Sequence, residues 1–239
     1  MTPDPAPPTG WPWVEPTTAY WQHTDPIDAW QGRLRPPFRY RVPIDLGDGQ
    51  VLALPIRRLQ MAPDRALASL IANQASQAVV NHLARAMGAV AQRYAAEVVI
   101  GLPTLGMVFA PGVAAALGHV RWVPMGYSRK FWYDDALSTT VASITTPGAG
   151  KAIYIDPNQL TLIAGRKALI VDDVVSSAQT LQQVWDLLER LGVCVVGAVV
   201  AMRQGVVWRD TLAPERQAML GSVFDSPQLV QRDDGWWPV

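Results

Sequence analysis

The sequence predicts an α/β fold in which a central, mostly parallel sheet is flanked by helices. Short apolar runs alternate with helix-like segments through the second half of the chain, and apolar residues at three- and four-residue spacing follow the run Lys167–Val175. This alternation is typical of a parallel sheet covered on both faces. At 239 residues the chain can form one such domain with appended segments, or two small domains at most.

The composition favours a globular protein and excludes several classes of partner. Hydrophobic residues make up 49% of the chain, and 20 basic residues balance 20 acidic ones. This balance gives no electrostatic reason to expect nucleic acid or a membrane surface as a partner. We see neither a membrane-spanning run nor a signal segment, and the single Cys194 is typical of a buried thiol in a reducing compartment. We therefore expect a cytoplasmic protein.

The first third of the chain differs from the rest. Its first 16 residues are rich in proline and predict a tail or an extended wrap. Two extended runs, Tyr40–Leu46 and Gln50–Pro55, flank the turn Gly47-Asp48-Gly49 and predict a hairpin. The Ala-rich, Pro-free stretch from Asp64 to about Tyr94 predicts a long helix.

The predicted core follows in regular alternation. Its elements are strand Val98–Leu102, helix Gly106–Leu117, strands Val120–Pro124, Ala152–Ile155 and Ala168–Val171, helix Ala178–Leu191 and strand Val193–Ala201. The stretch of low apolarity that follows Lys130 and runs to Lys151 predicts a long loop that acts as a lid or is disordered. In such a sheet, ligands bind beyond the carboxyl ends of the strands.

Two adjacent carboxylates, Asp172 and Asp173, follow the apolar strand Ala168–Val171 and precede a turn rich in hydroxyl groups. The helix that begins next offers backbone N–H groups and a dipole that favours an anion. Two carboxylates beside an anion site make sense when the ligand also carries hydroxyl groups or a divalent metal. A ribose phosphate with Mg²⁺ supplies all three.

The segment from Lys167 to Thr180 resembles the phosphoribosyl-pyrophosphate (PRPP) motif of type I phosphoribosyltransferases. The resemblance implies that fold, with a hood built from the terminal segments over the base. It implies that Asp172 and Asp173 bind the ribose hydroxyls. It also implies that the following loop cradles the 5′-phosphate through Ser176, Ser177, Ala178, Gln179 and Thr180. Ala178 stands where the family has Gly, and because Ala adopts positive φ less readily, we expect weaker phosphate binding.

Two further segments resemble other parts of the family's site. The turn after strand Val98–Leu102 corresponds in position to the pyrophosphate-binding loop and consists of Pro103, Thr104, Leu105 and Gly106. It lacks the basic residue often found there, and an ordinary strand-to-helix turn is the alternative. Arg129-Lys130 resembles the start of the flexible catalytic loop of adenine-type members, in which basic side chains close over pyrophosphate. The alternative is that Arg129 and Lys130 are simply a pair of solvated charges on the surface.

The resemblance implies substitution at the anomeric carbon of PRPP, with a base nitrogen attacking and pyrophosphate leaving. Mg²⁺ would be bound mostly by PRPP itself, and we expect no metal site built by protein alone. Members that take 6-oxopurines carry an acid where Ser176 stands, so adenine-type bases are favoured. Asp156 is the candidate for the Glu of adenine-type members. The expected catalytic residues are Asp173, Arg129, Lys130 and Asp156.

The domain organisation expected from these features has three parts. Residues 1–62 form an extension with a hairpin, residues 63–201 the phosphoribosyltransferase core, and residues 202–239 a candidate for the hood. The Trp-rich ends could stack on the base, pin the tails to the domain or form a subunit interface, which leaves a homodimer open. The rival functions are a PRPP-binding sensor without transferase activity and a partner-binding protein that has lost the site.

Overall fold

The computed structural model describes residues 19–143 and 146–239 of the chain. The strands are β1 (Asp25–Pro26), β2 (Arg41–Asp45), β3 (Gln50–Leu59), β4 (Ala62–Ala68), β5 (Val98–Gly101), β6 (Val123–Pro124), β7 (Ser138–Ser143), β8 (Thr146–Tyr154), β9 (Lys167–Val175), β10 (Cys194–Gln204), β11 (Leu220–Ser226), β12 (Gln228–Arg232) and β13 (Gly235–Pro238). The α-helices are α1 (Gln77–Ala91), α2 (Gly106–Ala116), α3 (Gln179–Arg190), α4 (Trp208–Thr211) and α5 (Pro214–Ala218). Within the described ranges, no helix combines the length and apolar character needed to cross a membrane.

These elements form two compact units. One consists of the described residues up to Val80 together with Phe224–Val239, and the other of Asn81–Val223. The smaller unit thus joins segments from both ends of the chain, while the larger one holds the predicted elements from Val98 to Ala201. The three functional segments expected from the sequence stay a prediction.

The larger unit contains a five-stranded sheet in the order β11-β10-β9-β5-β6. The pairs β10/β9, β9/β5 and β5/β6 are parallel, as the alternating pattern predicts. Residues Ala168–Val171 of the central strand β9 are fully buried, which explains why they form an unbroken apolar run. The register places Val171 opposite Gly101, so the carboxyl ends of β9 and β5 lie side by side.

Helices α1 and α2 approach each other through small residues. A methyl group added at Gly88 would lie 2.4 Å from the Ala116 Cβ, and one added at Gly112 would lie 2.6 Å from the Ala84 Cβ. Both distances are far below van der Waals contact. The two glycines therefore set how closely the helices pack.

The long helix predicted from Asp64 to Tyr94 is wrong in its first part. Residues Ala62–Ala68 form β4, which pairs antiparallel with β3, and the helix α1 covers only Gln77–Ala91. Alanine favours helices by a few tenths of a kcal/mol per residue, and strand pairing overrides so weak a preference.

Two other predicted strands are corrected. Ala152–Ile155 does not join the parallel sheet, because it lies mostly within β8, which forms an antiparallel hairpin with β7. The predicted long loop is therefore partly this hairpin. The predicted strand Val120–Pro124 shortens to β6, since Val120 is fully exposed. A short apolar run is compatible with several strand environments, and its partner is decided by tertiary contacts.

The smaller unit has the sheet order β1-β3-β4-β12-β13, with β2 also paired to β3. The predicted hairpin is confirmed, because β2 and β3 pair antiparallel across the Gly47–Gly49 turn. Trp21, Trp30 and Trp236 are buried in this unit. The Trp21 indole donates to the Ser69 carbonyl at 3.0 Å.

The sequence allows three possible roles for the Trp-rich ends. The buried Trp21, Trp30 and Trp236 are consistent with one of them, in which the tryptophans attach the terminal segments to the protein. Trp11 and Trp13, which also belong to the Trp-rich N-terminal end, lie outside the described residues. Cys194 is exposed rather than buried, because it stands at the first position of β10, at the open end of the strand.

We expect Gly88→Ala and Gly112→Ala each to lower the free energy of unfolding by about 1–3 kcal/mol, because the added methyl groups force α1 and α2 apart. The cost of the clash should outweigh the roughly 1 kcal/mol by which Gly→Ala stabilises an exposed helix. Urea denaturation measures it. Asn81→Ala, on the exposed side of α1, is the control and should be neutral or slightly stabilising. If Gly88→Ala and Gly112→Ala were as stable as the native protein, this would show that the helices can separate at little cost.

Candidate active site

The two predicted acidic residues lie near the carboxyl end of β9, the central strand. Asp172 and Asp173 are both partly exposed, and the Asp173 backbone N–H donates to the Asp172 Oδ1 at 2.9 Å. The apolar residues before them anchor the strand in the core. The carboxylates are thus held on a rigid element at the edge of the sheet where ligands bind in such folds.

Burial and mutual repulsion make the ionised pair costly. Burial, followed by the neighbouring Asp173 charge, holds the pKa of Asp172 well above its usual range. Burial also raises the pKa of Asp173 to about 6, although hydrogen bonds to its carboxylate act in the opposite direction. A ligand that donates hydroxyl groups or brings a cation would relieve this cost. Perturbed carboxylates of this kind are typical of functional sites.

The loop after β9 begins helix α3 through a residue in an uncommon conformation. Ala178 has φ 60° and ψ 7°, the left-handed region that usually requires glycine. Its side chain is buried, and the backbone N–H of Gln179 lies 3.5 Å from the Ser177 Oγ. Ala178 therefore adopts this backbone shape although it carries a side chain, and the expected weaker phosphate binding stays a prediction. Ser176 and Thr180 flank the turn and are partly exposed.

The predicted pyrophosphate loop lies directly against the acidic pair. Helix α2 begins at Gly106, where an added Cβ would lie 2.6 Å from the Val171 carbonyl oxygen and 2.9 Å from the Asp172 Oδ1. The Leu102 N–H donates to the same Val171 carbonyl at 2.9 Å. Only glycine allows this approach, so the turn and the acidic pair form one site. In this turn Pro103 is buried, Thr104 exposed and Leu105 partly buried, and the Pro103–Thr104 peptide is cis.

Tyr127 is a member of the site that sequence reasoning did not single out. Its hydroxyl donates to the Pro103 carbonyl oxygen at 3.1 Å. Burial, and then the charges of Asp172 and Asp173, raise the pKa of Tyr127. It follows strand β6, whose last residue Pro124 pairs with Gly101 of β5. The sequence feature that could have identified Tyr127 is its position just after a strand of the same parallel sheet.

The predicted catalytic loop residues occupy the exposed surface. The Arg129 guanidinium pairs with the Asp135 carboxylate, with 2.7 Å between Nε and Oδ1, and this ion pair raises the pKa of Arg129 and lowers that of Asp135. Lys130 Nζ lies 3.3 Å from the Ser128 Oγ. No contact places either cation on the acidic pair in this structure, so their roles toward pyrophosphate stay predictions.

Asp156 has a local structural role. Its Oδ1 accepts from the Asn158 backbone N–H and side-chain amide, each at 2.9 Å, and caps a short 3₁₀ helix at Pro157–Leu162. Its Oδ2 lies 3.5 Å from the Trp132 indole nitrogen. The predicted role of Asp156 toward the base therefore stays a prediction that depends on this second oxygen.

The described part of the chain, residues 19–143 and 146–239, contains no group of three or more His, Cys, Asp and Glu side chains arranged to hold a metal ion. Asp172 and Asp173 offer paired carboxylate oxygens at the candidate site, and oxygen is the donor type that Mg²⁺ prefers. Such a pair fits a cation that is carried largely by its ligand. Mg²⁺ remains a proposal for this chain.

Among the solved structures that share the fold are three adenine phosphoribosyltransferases. Those from Rhodothermus marinus and Saccharomyces cerevisiae, the latter complexed with an imino-altritol bisphosphate and adenine, have TM-scores of 0.55 at 18% identity. That from Giardia lamblia, complexed with 9-deazaadenine, has a TM-score of 0.56 at 18% identity. Each match covers 72% of this chain and 93–94% of the other. The chain therefore has the type I phosphoribosyltransferase fold.

Sequence comparison identifies the family. The family model for the phosphoribosyl transferase domain matches residues 68–217, well over half of the chain. Adenine phosphoribosyltransferases from Salinispora arenicola and Salinispora tropica are 30% and 29% identical over 122 residues, 49% of this chain. The matched region spans 60% of the length of these relatives. The chain belongs to the phosphoribosyl transferase domain family, as the PRPP motif predicted.

We expect Asp173→Asn to stabilise the ligand-free protein by about 1–2 kcal/mol at pH 7.5. The folded state binds the Asp173 proton more tightly than the unfolded state does, so stability is lost as pH rises from about 4 through about 6. The gain from the substitution should therefore disappear near pH 4. Thermal unfolding at both pH values measures it, with the exposed Asp233→Asn as control. Equal stability of native and variant protein at pH 7.5 would contradict the cost assigned to the pair.

We expect Ala178→Gly to raise the free energy of unfolding by up to about 1 kcal/mol, because glycine adopts positive φ without a steric penalty. Affinity for PRPP, the ligand that the motif predicts, should change less than about twofold, since the backbone shape is already present. Ala95→Gly is the matched control, because Ala95 is also left-handed, with φ 47°, at the end of a 3₁₀ helix. Calorimetry that showed much tighter PRPP binding by Ala178→Gly would contradict the left-handed backbone.

Proposed function

We propose that this protein transfers ribose 5-phosphate from PRPP to a purine base of adenine type and releases pyrophosphate. The observation that carries the proposal is the packing of Gly106, at the start of α2, against the Asp172 carboxylate. Together with Ala178, which introduces α3, this contact gathers two helix N-termini around one acidic pair. Helix N-termini suit phosphate groups and the acidic pair suits ribose hydroxyls. PRPP carries both.

In the proposed reaction, the bond between the anomeric carbon and the pyrophosphate oxygen breaks while a bond to the base nitrogen forms. The electron pair of the broken bond leaves with pyrophosphate, and the base nitrogen loses its proton. Asp156 is the candidate acceptor for that proton through its Oδ2. Positive charge develops on the sugar, so the protein contributes mainly by positioning and by stabilising charge.

Asp172 and Asp173 serve the ribose in this scheme, and their negative charges lie near the sugar that becomes positive. The resemblance implies Mg²⁺ as well, which would supply charge neutralisation for pyrophosphate. The acidic pair fits it, because a nearby cation lowers the cost of two adjacent carboxylates. Ser176, Ser177, Gln179 and Thr180 would donate to the 5′-phosphate from the start of α3.

The choice of an adenine-type base rests on two observations. Ser176 cannot exchange a proton with a ring nitrogen near neutral pH, which disfavours a 6-oxopurine mechanism. The relatives from Salinispora are named adenine phosphoribosyltransferases. Their name supports an adenine-type base for this chain.

A PRPP-binding sensor without transferase activity is the second candidate. The turn Pro103–Gly106 carries no basic side chain, and Arg129 pairs with Asp135 instead of facing the acidic pair. A protein in this state could bind PRPP through its ribose and 5′-phosphate without assisting the departure of pyrophosphate.

The proposed activity is tested by pyrophosphate release from PRPP and Mg²⁺ with a panel of purines and pyrimidines. We expect release with adenine, and a loss of at least about 100-fold in Asp172→Asn/Asp173→Asn, because the ribose loses two charged acceptors. Calorimetry with PRPP in the absence of base runs in parallel.

The chain offers a matched control in Asp233→Asn/Asp234→Asn, an adjacent pair of exposed acids between β12 and β13. This variant has the same charge change and should behave as the native protein. PRPP binding without release for any base would contradict the transferase and support the sensor. Absence of PRPP binding by the native protein would overturn both.

A further inference from the structure

Lys151 lies beside the candidate site although it is distant in sequence. Its Nζ is 5.5 Å from the centroid of the Tyr127 ring, a cation–π distance. Lys151 belongs to β8, and this strand is joined to the residue before Tyr127 by two hydrogen bonds between Gly126 and Tyr154. The N–H of Gly126 donates at 3.0 Å and that of Tyr154 at 2.8 Å. The paired backbone therefore keeps β8 beside the segment that carries Tyr127.

Tyr127 connects this cation to the turn that precedes α2. Its hydroxyl donates to the Pro103 carbonyl at 3.1 Å. The Tyr127 side chain is 38% exposed, and the Asp172 and Asp173 charges act on it. Tyr127 thus contacts the Lys151 ammonium through the face of its ring and the Pro103–Gly106 turn through its hydroxyl.

The charge of the site calls for such a cation. PRPP carries a diphosphate and a 5′-phosphate, while Asp172 and Asp173 add negative charge of their own. The turn Pro103–Gly106 offers backbone N–H groups but no basic side chain. The chain contains three lysines. Of these, Lys167 lies at the opposite, amino end of β9. Lys130 keeps its predicted role in the loop that begins at Arg129, and its Nζ lies 3.3 Å from the Ser128 Oγ on the exposed surface.

We propose that Lys151, positioned by the aromatic ring of Tyr127, binds the diphosphate group of PRPP above the Pro103–Gly106 turn. It supplies there the positive charge that the turn itself lacks. Lysine suits this role because its ammonium is a compact charge on a flexible stem, able to leave the ring for a phosphate oxygen. The inference rests on the proposed function, since it assigns a residue to that same site.

The assignment predicts a selective effect on ligands that contain the diphosphate. Lys151→Gln should weaken the binding of PRPP and of free pyrophosphate by roughly 10-fold, the effect of losing one charged hydrogen bond at a partly exposed site. Binding of ribose 5-phosphate, which lacks the diphosphate, should stay unchanged. Lys151→Arg should restore most of the affinity because it keeps the positive charge. Calorimetry with the three ligands at one fixed salt concentration measures all of this.

The positioning role of Tyr127 is tested by a double-mutant cycle. Tyr127→Leu removes the ring, and we expect it to weaken pyrophosphate binding by about 3- to 5-fold without adding fully to Lys151→Gln. Tyr127→Phe keeps the ring and should retain more pyrophosphate affinity than Tyr127→Leu. Lys167→Gln is the control, since it has the same charge change on an exposed lysine far from the carboxyl edge of the sheet.

The outcomes separate this inference from the proposed function. Equal PRPP and pyrophosphate affinities for Lys151→Gln and the native protein would overturn the role of Lys151 and leave the proposed function standing. An equal loss of affinity for ribose 5-phosphate would also overturn it, because that would indicate a general structural defect. A native protein that binds no PRPP would overturn both proposals.

Discussion

The parallel pairing of β5 with β9 is the constraint on which the candidate site depends. It places Gly101 opposite Val171, and the next N–H in the chain, that of Leu102, donates to the Val171 carbonyl. The chain must then turn into α2 directly against β9, where only a residue without a side chain fits. Gly106 therefore joins an acidic pair and a helix N-terminus that are 66 positions or more apart in sequence.

The same arrangement creates an electrostatic conflict in the ligand-free protein. Two partly buried carboxylates resist ionisation, and burial keeps the pKa of Asp173 at about 6. The fold tolerates this because β9 is anchored by a fully buried apolar run. Stability given up at a rigid site is a common feature of functional centres, where a ligand with complementary charge recovers it. The left-handed Ala178 is a second local cost at the same edge.

The sequence predicted the fold best where two independent patterns agree. The buried run before Asp172 and the 3.6-residue spacing after Ala178 define β9 and α3, and the structure confirms both. Prediction failed where a single pattern had two solutions. Ala62–Ala68 has helix-favouring residues but pairs with β3, and Ala152–Ile155 is apolar but belongs mostly to a hairpin. In both cases the deciding interaction is a strand partner distant in sequence, which local preference does not register.

The sequence by itself determined which chemical groups lie at the carboxyl end of β9. It placed Asp172 and Asp173 after a buried strand, hydroxyl groups before a helix, and a glycine turn after another strand of the same sheet. Tertiary structure decided the rest. Strand pairing brings Lys151 and Tyr127 together, and packing holds Ala178 in a backbone conformation that its residue type disfavours. Residue types and local spacing fix what each segment can form, whereas contacts between distant segments arise only when the whole sheet assembles.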